Sequence, residues 1–232
     1  MVYDTRLLSA ALDDGAFPVL DELMEYFAPQ APFLTFGGPD AARALAFHGK
    51  TVLADREAFD DPMGMARENG IEVRSARIED PLVFPPRRFG LVHARWTSFT
   101  GAAMGNLVRW VRPNGVLLIE GPDCYPAVNM ARGPYRNVAS AVADRLGAPV
   151  SADLPALLIR HGFMHVGSRH QLPVASAFQA LLQNLIERGA PWPELAEADL
   201  RDWPHDPVTR TPALTNVLAW GMKPGEDFTS GP

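Results

Sequence analysis

Short apolar runs alternate with segments of helical periodicity along most of this chain, and that alternation limits the possible folds more than any other feature. Pro32–Phe36, Thr51–Ala54, Ile71–Ala76, Phe89–Arg95 and Val116–Glu120 are runs of strand length bounded by turn residues. Between them lie helical patterns. Ala41–His48 is capped by Asp40 and closed by Gly49. A second helix opens at Asp61-Pro62 and ends at Gly70, and a third, Ala102–Val111, stops at Pro113-Asn114-Gly115. Single helices between strands require right-handed crossovers and give a parallel sheet. Such a sheet is covered on both faces, which is why Leu117-Leu118-Ile119 does not alternate. Its ligands bind beyond the carboxyl ends of the strands, so the candidate positions are 37–40, 55–56, 77–80, 95–98 and 120–125.

The two ends of the chain depart from this rhythm. Leu7–Phe27 carries apolar residues at helical spacing, read as two helices broken near Gly15–Pro18. The last third reads as a helix at Leu154–His161, strands at Phe163–Val174 and Leu214–Gly221, and a helix at Ala177–Arg188. A loop rich in proline and tryptophan follows that helix, with Trp192 and Trp203. At 232 residues and 47% apolar content the chain is long and apolar enough for one sizeable α/β core. A net charge of −6 without a basic stripe argues against nucleic acid. No stretch has the length of a membrane span, and acids near the N-terminus argue against a secretory signal, so a cytoplasmic location is expected. With Cys124 as the single cysteine there is no internal disulfide and no cysteine-pair zinc site, and no metal is expected.

The stretches FLTFGGPD, VLADRE, FGLVHARW and WVRPNGVLLIEGPD, together with LPALLIRHGF and LAWGMKP in the tail, resemble class I S-adenosylmethionine (SAM)-dependent methyltransferases. The likeness is to the small-molecule, bacterial secondary-metabolism type and runs from about Phe33 to Pro224. It implies a Rossmann-like seven-stranded sheet with helices on both faces, an antiparallel edge strand, N-terminal helices and a small lid. The corresponding organisation is an N-terminal helical segment at 1–31, the main domain at 32–224 with a lid at about 175–212, and a tail at 225–232. The cofactor implied is SAM. The positions matching its contacts are Gly37, Gly38 and Asp55, with Glu79 and Arg95 as further candidates.

Several of those positions carry unexpected chemistry. Thr35 stands where the resemblance implies an acid. Pro39 replaces a glycine and has no N–H to offer. Asp40 at the helix start would repel the carboxylate of SAM. Arg77-Ile78 replaces the acceptor for the adenine amino group, because arginine has no acceptor lone pair and isoleucine no polar atom.

Three residues are candidates for catalysis. His93 reads either as a general base or as a packed strand residue. Glu120 and Asp123 follow the fifth strand. Glu120 is either a base whose pKa rises in an apolar pocket or a residue that merely caps or pairs with an arginine. Trp96, Tyr125 and Trp203 are candidates for substrate contact, each with core packing as the plain alternative. His161, His165 and His170 match no metal-ligand spacing. The expected partner is a small molecule, with no nucleic acid and no membrane, and a homodimer is left open. The expected function is a methyltransferase-fold enzyme of bacterial secondary metabolism that has turned to a non-methylating reaction: cyclisation, rearrangement or elimination on an apolar, polyketide-like molecule. The alternatives are an active O-, N- or C-methyltransferase and a catalytically dead binding protein.

Overall fold

The structure is a computed structural model that describes residues 5–36, 38–55, 70–95, 101–123, 154–171 and 215–226. Its elements follow the order α1 (Thr5–Phe27), β1 (Phe33–Phe36), α2 (Pro39–Ala46), β2 (Thr51–Asp55), β3 (Glu72–Ser75), β4 (Phe89–Arg95), α3 (Gly101–Trp110), β5 (Val111–Asp123), α4 (Leu154–Arg160), β6 (Met164–Gln171) and β7 (Thr215–Met222). The helices expected at 61–70 and 177–188, the lid, and residues Gly37, Trp96, Tyr125, Trp192 and Trp203 lie outside the described residues.

The strands form one sheet in the order β3-β2-β1-β4-β5-β7-β6. Parallel pairing joins β1 to β2 and β4, β2 to β3, and β4 to β5, while β7 runs antiparallel to both β5 and β6. The antiparallel strand is therefore one position in from the edge, and β6 takes the edge itself. Burial explains the arrangement. In β7, Asn216 through Ala219 are buried, so the strand needs cover on both sides, whereas Ser168, Arg169 and His170 of β6 are exposed and suit an edge. The strand order reverses between β1 and β4. Their carboxyl ends form the crevice where a sheet of this kind takes its ligand.

Two cores hold the sheet. On one face Leu34, Phe36, Val92, Ala94, Leu117 and Ile119 pack against α3 and α4. On the other, Phe33, Leu91, Val116, Leu118 and Leu218 pack beneath α1 and α2. The two helices expected in the first 27 residues are one. α1 runs through Pro18, because Ala16, Val19, Leu20 and Leu23 form a continuous stripe buried on the sheet. One lost backbone hydrogen bond is outweighed by side chains each contributing about 1.5–3 kcal/mol on burial. The fifth strand also starts earlier than expected, at Val111 rather than Val116. Phe89 pairs with Val111, and the register then shifts as the chain passes Asn114 at φ 58°. Gly90 permits one close approach. A Cβ there would lie 1.9 Å from the Gln30 carbonyl oxygen, which instead accepts from Arg112 at 2.7 Å.

Candidate functional site

The parallel register assembles a row of buried polar side chains at the carboxyl end of the sheet. Phe33 and Thr35 of β1 point to the same face as Leu91, His93 and Arg95 of β4, the alternation expected of a strand. Thr35 lies directly opposite His93 on the neighbouring strand, and Arg95 lies opposite Glu120. In β7, Asn216 shares a face with Leu218 two residues on. Thr35, His93 and Glu120 have no exposed surface, Asn216 is 1% exposed and Arg95 is 4% exposed.

Hydrogen bonds close the row into one network. Thr35 Oγ1 lies 2.8 Å from His93 Nδ1, and His93 Nε2 lies 2.5 Å from Glu120 Oε1. Arg95 Nε donates to Glu120 Oε2 at 3.2 Å, and Asn216 Nδ2 donates to the same oxygen at 3.0 Å. Asn216 Nδ2 also reaches Gln171 Oε1 on β6 at 3.1 Å. With Nε2–H directed at the carboxylate, the Thr35 hydroxyl donates to a neutral imidazole or accepts from a charged one. It satisfies either form of His93.

The charge balance fixes the protonation state of Glu120. Burial alone pushes its carboxyl up, as expected for an acid in an apolar pocket. The positive charges of Arg95 and His93, with hydrogen bonds from His93 and Asn216, outweigh that push and bring the carboxyl from an ordinary 4.5 down to about 2. The carboxyl therefore does not rise as burial alone would have it, and Glu120 is paired with both His93 and Arg95. A carboxylate held by three donors is a weak proton acceptor at neutral pH. Buried and hydrogen-bonded throughout, the network is a strongly polar cluster in a low-dielectric setting.

This rigid row backs onto the turn at the crevice. A Cβ built on Gly38 would stand 3.7 Å from both Arg95 Nη1 and His93 Cε1, so the two side chains lie immediately behind the start of α2. That helix begins differently from the expectation. Gly38, not Asp40, is its N-cap, no side chain caps it, and Pro39 occupies the first turn. The Asp40 carboxylate turns outward to Arg43 at 2.5 Å. Proline is suited to the first helical position, and there it displaces the expected cap by two residues.

The remaining candidates fall around the same end of the sheet. By backbone position Asp55 closes β2 and Asp123 closes β5. After β3 the chain turns Ile78 into the core at 6% exposure, and Asn106 Nδ2 holds its carbonyl at 2.9 Å. Glu79 beside it is exposed, and the Asp80 carboxylate accepts from the Leu82 amide at 2.9 Å. His161, His165 and His170 are exposed. Among the described residues no group of three or more potential ligands is arranged for a metal ion, and no helix is long and apolar enough to cross a membrane. Sequence reasoning took Thr35 only as a missing acid and passed over Asn216. The one available signal was an amide in an otherwise apolar strand, which needs a partner when buried.

The sequence matches no protein-family model and no curated protein. Solved structures do match. A protein of Galdieria sulphuraria described as a sarcosine dimethylglycine methyltransferase superposes with a TM-score of 0.56 at 16% identity, covering 91% of this chain and 85% of its own. The [4+2]-cyclase SpnF does so with a TM-score of 0.57 at 15% identity, over 91% of this chain and 82% of its own. This chain has the class I methyltransferase fold. The geranyl diphosphate C-methyltransferase of Streptomyces coelicolor, solved with S-adenosylhomocysteine, matches with a TM-score of 0.54 at 11% identity over 93% of this chain and 82% of its own. The fold therefore accommodates proteins named for methyl transfer and one named for cyclisation, and fold alone does not choose between them.

Proposed function

We propose that this chain is a methyltransferase-fold enzyme that acts on an apolar small molecule by cyclisation, rearrangement or elimination, without methyl transfer from SAM. The observation that carries this reading is the inward commitment of the groups that would read the cofactor. Thr35 stands in the acidic position and is bonded to His93. Ile78, at the adenine position, is packed in the core. The Asp80 carboxylate, two residues on, is exposed and accepts one hydrogen bond from the Leu82 amide. Of the expected polar contacts, Asp55 keeps the right chemistry at the end of β2. The residues present are a poor match for SAM, and no step is routed through it. Each missing charge-assisted hydrogen bond costs about 1.5–3 kcal/mol, so two of them weaken binding by roughly 100-fold or more.

The chemistry such a site can supply is confinement and fixed electrostatics. A crevice that holds one conformer of a flexible substrate lowers the entropy cost of a unimolecular step. The buried Thr35–His93–Glu120–Arg95 row adds an oriented, non-reorganising field behind Gly38. Glu120, ionised and saturated, positions Arg95 and His93 and does not itself exchange protons.

Active methyl transfer is the second reading, and one observation favours it. α2 begins with an uncapped turn at Gly38, and Asp40 swings away to Arg43, so the helix start is open to an anionic group. Product mass distinguishes the readings. The chain, freed of bound nucleotide, is incubated with apolar polyene or polyketide candidates, with and without SAM, and products are followed by mass spectrometry. The proposal expects a product of unchanged mass, or one lighter by water, formed equally well without SAM. A product heavier by one CH₂ that appears only with SAM overturns it.

A further inference from the structure

An open groove with a volume of about 820 Å³ lies between the second half of α1 and the β6–β7 edge. It is separate from the crevice. Trp220 pairs with Leu118, five residues before the Asp123 end of β5, whereas Glu120 and Asn216 lie nearer that end. The groove is lined by Glu22, Glu25, Tyr26 and Phe27 of α1, with Tyr26 at the exposed rim, and by His165 of β6 and Trp220 of β7.

Three features show that the edge strand is shaped around Trp220. Between the Met164–Met222 and Gly167–Trp220 pairs β6 holds one more residue than β7, a bulge that re-aims its side chains. His165 sits in that bulge at φ 50°, a left-handed conformation unusual for a residue with a side chain. Gly167 lies under the indole, where a Cβ would meet the ring 2.6 Å from Cζ2 and 2.9 Å from Nε1. Any larger residue at 167 would displace the indole from the position in which it lines the groove.

The charges on the walls are unbalanced. Glu22 is held by both terminal nitrogens of Arg169, at 2.7 and 3.1 Å. Glu25, one turn further along the same helix face, forms no ion pair among the described residues. Aromatic residues and an exposed carboxylate with no ion-pair partner among the described residues, along one groove, favour a cation with an apolar body.

We infer that this groove binds an organic cation of the quaternary or protonated alkylammonium class, stacked against Trp220 and Tyr26 and balanced by Glu25. The test is titration of the full chain with choline and, separately, with its neutral isostere 3,3-dimethylbutan-1-ol, following the tryptophan indole N–H resonances by NMR. Trp220→Phe assigns the resonance. Choline is expected to shift the Trp220 signal saturably, with affinity about five-fold or more above that of the isostere. The exposed substitution Glu25→Gln is expected to weaken choline about two- to three-fold and leave the isostere unchanged. Equal binding of the two probes identifies a merely apolar groove and overturns the inference. So does the absence of a saturable shift, or a choline shift that Glu25→Gln does not alter.

Discussion

Replacing Glu120 with glutamine removes one negative charge from the centre of the sheet and leaves the shape of the side chain almost unchanged. The wild-type carboxyl is lowered from 4.5 to about 2 on folding. At about 1.4 kcal/mol per pKa unit, that shift stabilises the folded chain by about 3 kcal/mol at neutral pH. The amide also leaves Arg95, 4% exposed, without its counter-charge, and breaking one side of a buried pair costs about 3–5 kcal/mol. Both routes give a loss of at least about 3 kcal/mol. For a urea slope near 3 kcal/mol per molar, the unfolding midpoint of Glu120→Gln falls by about 1 M with the slope unchanged. The effect carries its own pH signature. A group whose pKa is lowered in the folded state contributes fully above its unfolded value and loses that contribution as pH falls. The gap between wild type and Glu120→Gln is therefore constant above about 4.5 and closes towards pH 2. A gap below about 0.5 kcal/mol at neutral pH, or one that persists at pH 2, refutes the fixed-charge account of this network.

Two other substitutions test how the frame around the site is held. Lys223 is half-buried, with its pKa lowered by burial and by the charge of Arg87, and its ammonium donates to the carbonyls of Val108 in α3 and Val111 at the start of β5 at 2.8 and 2.9 Å. Lys223→Met keeps the stem and loses both bonds, so a loss of about 2 kcal/mol and a melting temperature lower by about 4–8 °C are expected; an unchanged melt contradicts this. Gly90→Ala drives a Cβ into the Gln30 carbonyl and is expected to destabilise by about 3 kcal/mol or more in urea, with a loss under about 1 kcal/mol showing that the approach is not that close.

The strands were legible wherever local pattern was enough. Phe89–Arg95 coincides with β4, and β1, β2, β3, β6 and β7 fall within the runs marked in the sequence or differ from them by a residue or two at an end. What failed depended on partners distant in the chain. Pro18 reads as a break because proline removes a helical hydrogen bond, but the buried stripe from Ala16 to Leu23 carries α1 through it. Asp40 before an apolar run reads as a cap, but Pro39 is better placed at the first turn and moves the cap to Gly38.

The site shows the same division. His93, Arg95 and Glu120 could be singled out because they lie within or at the end of marked strands. Their joint state depends on Thr35, 58 residues before His93, and on Asn216, 96 residues after Glu120. No local spacing encodes a strand order that puts β4 beside β1 and β7 beside β5. The pKa of Glu120 followed the same logic. Burial was foreseeable from an acid ending an apolar run, but the surplus of positive partners that reverses its effect was not.

The account rests on the claim that Thr35 and Ile78, at the acidic and adenine positions, are engaged by the protein itself and are not offered to a nucleotide. Isothermal titration of the purified, nucleotide-free chain with SAM tests it most directly. The expected result is a dissociation constant of about 0.1 mM or weaker, because the roughly 100-fold or greater loss that two absent charge-assisted contacts impose is counted from a micromolar reference. One-to-one binding with a dissociation constant in the micromolar range would contradict it.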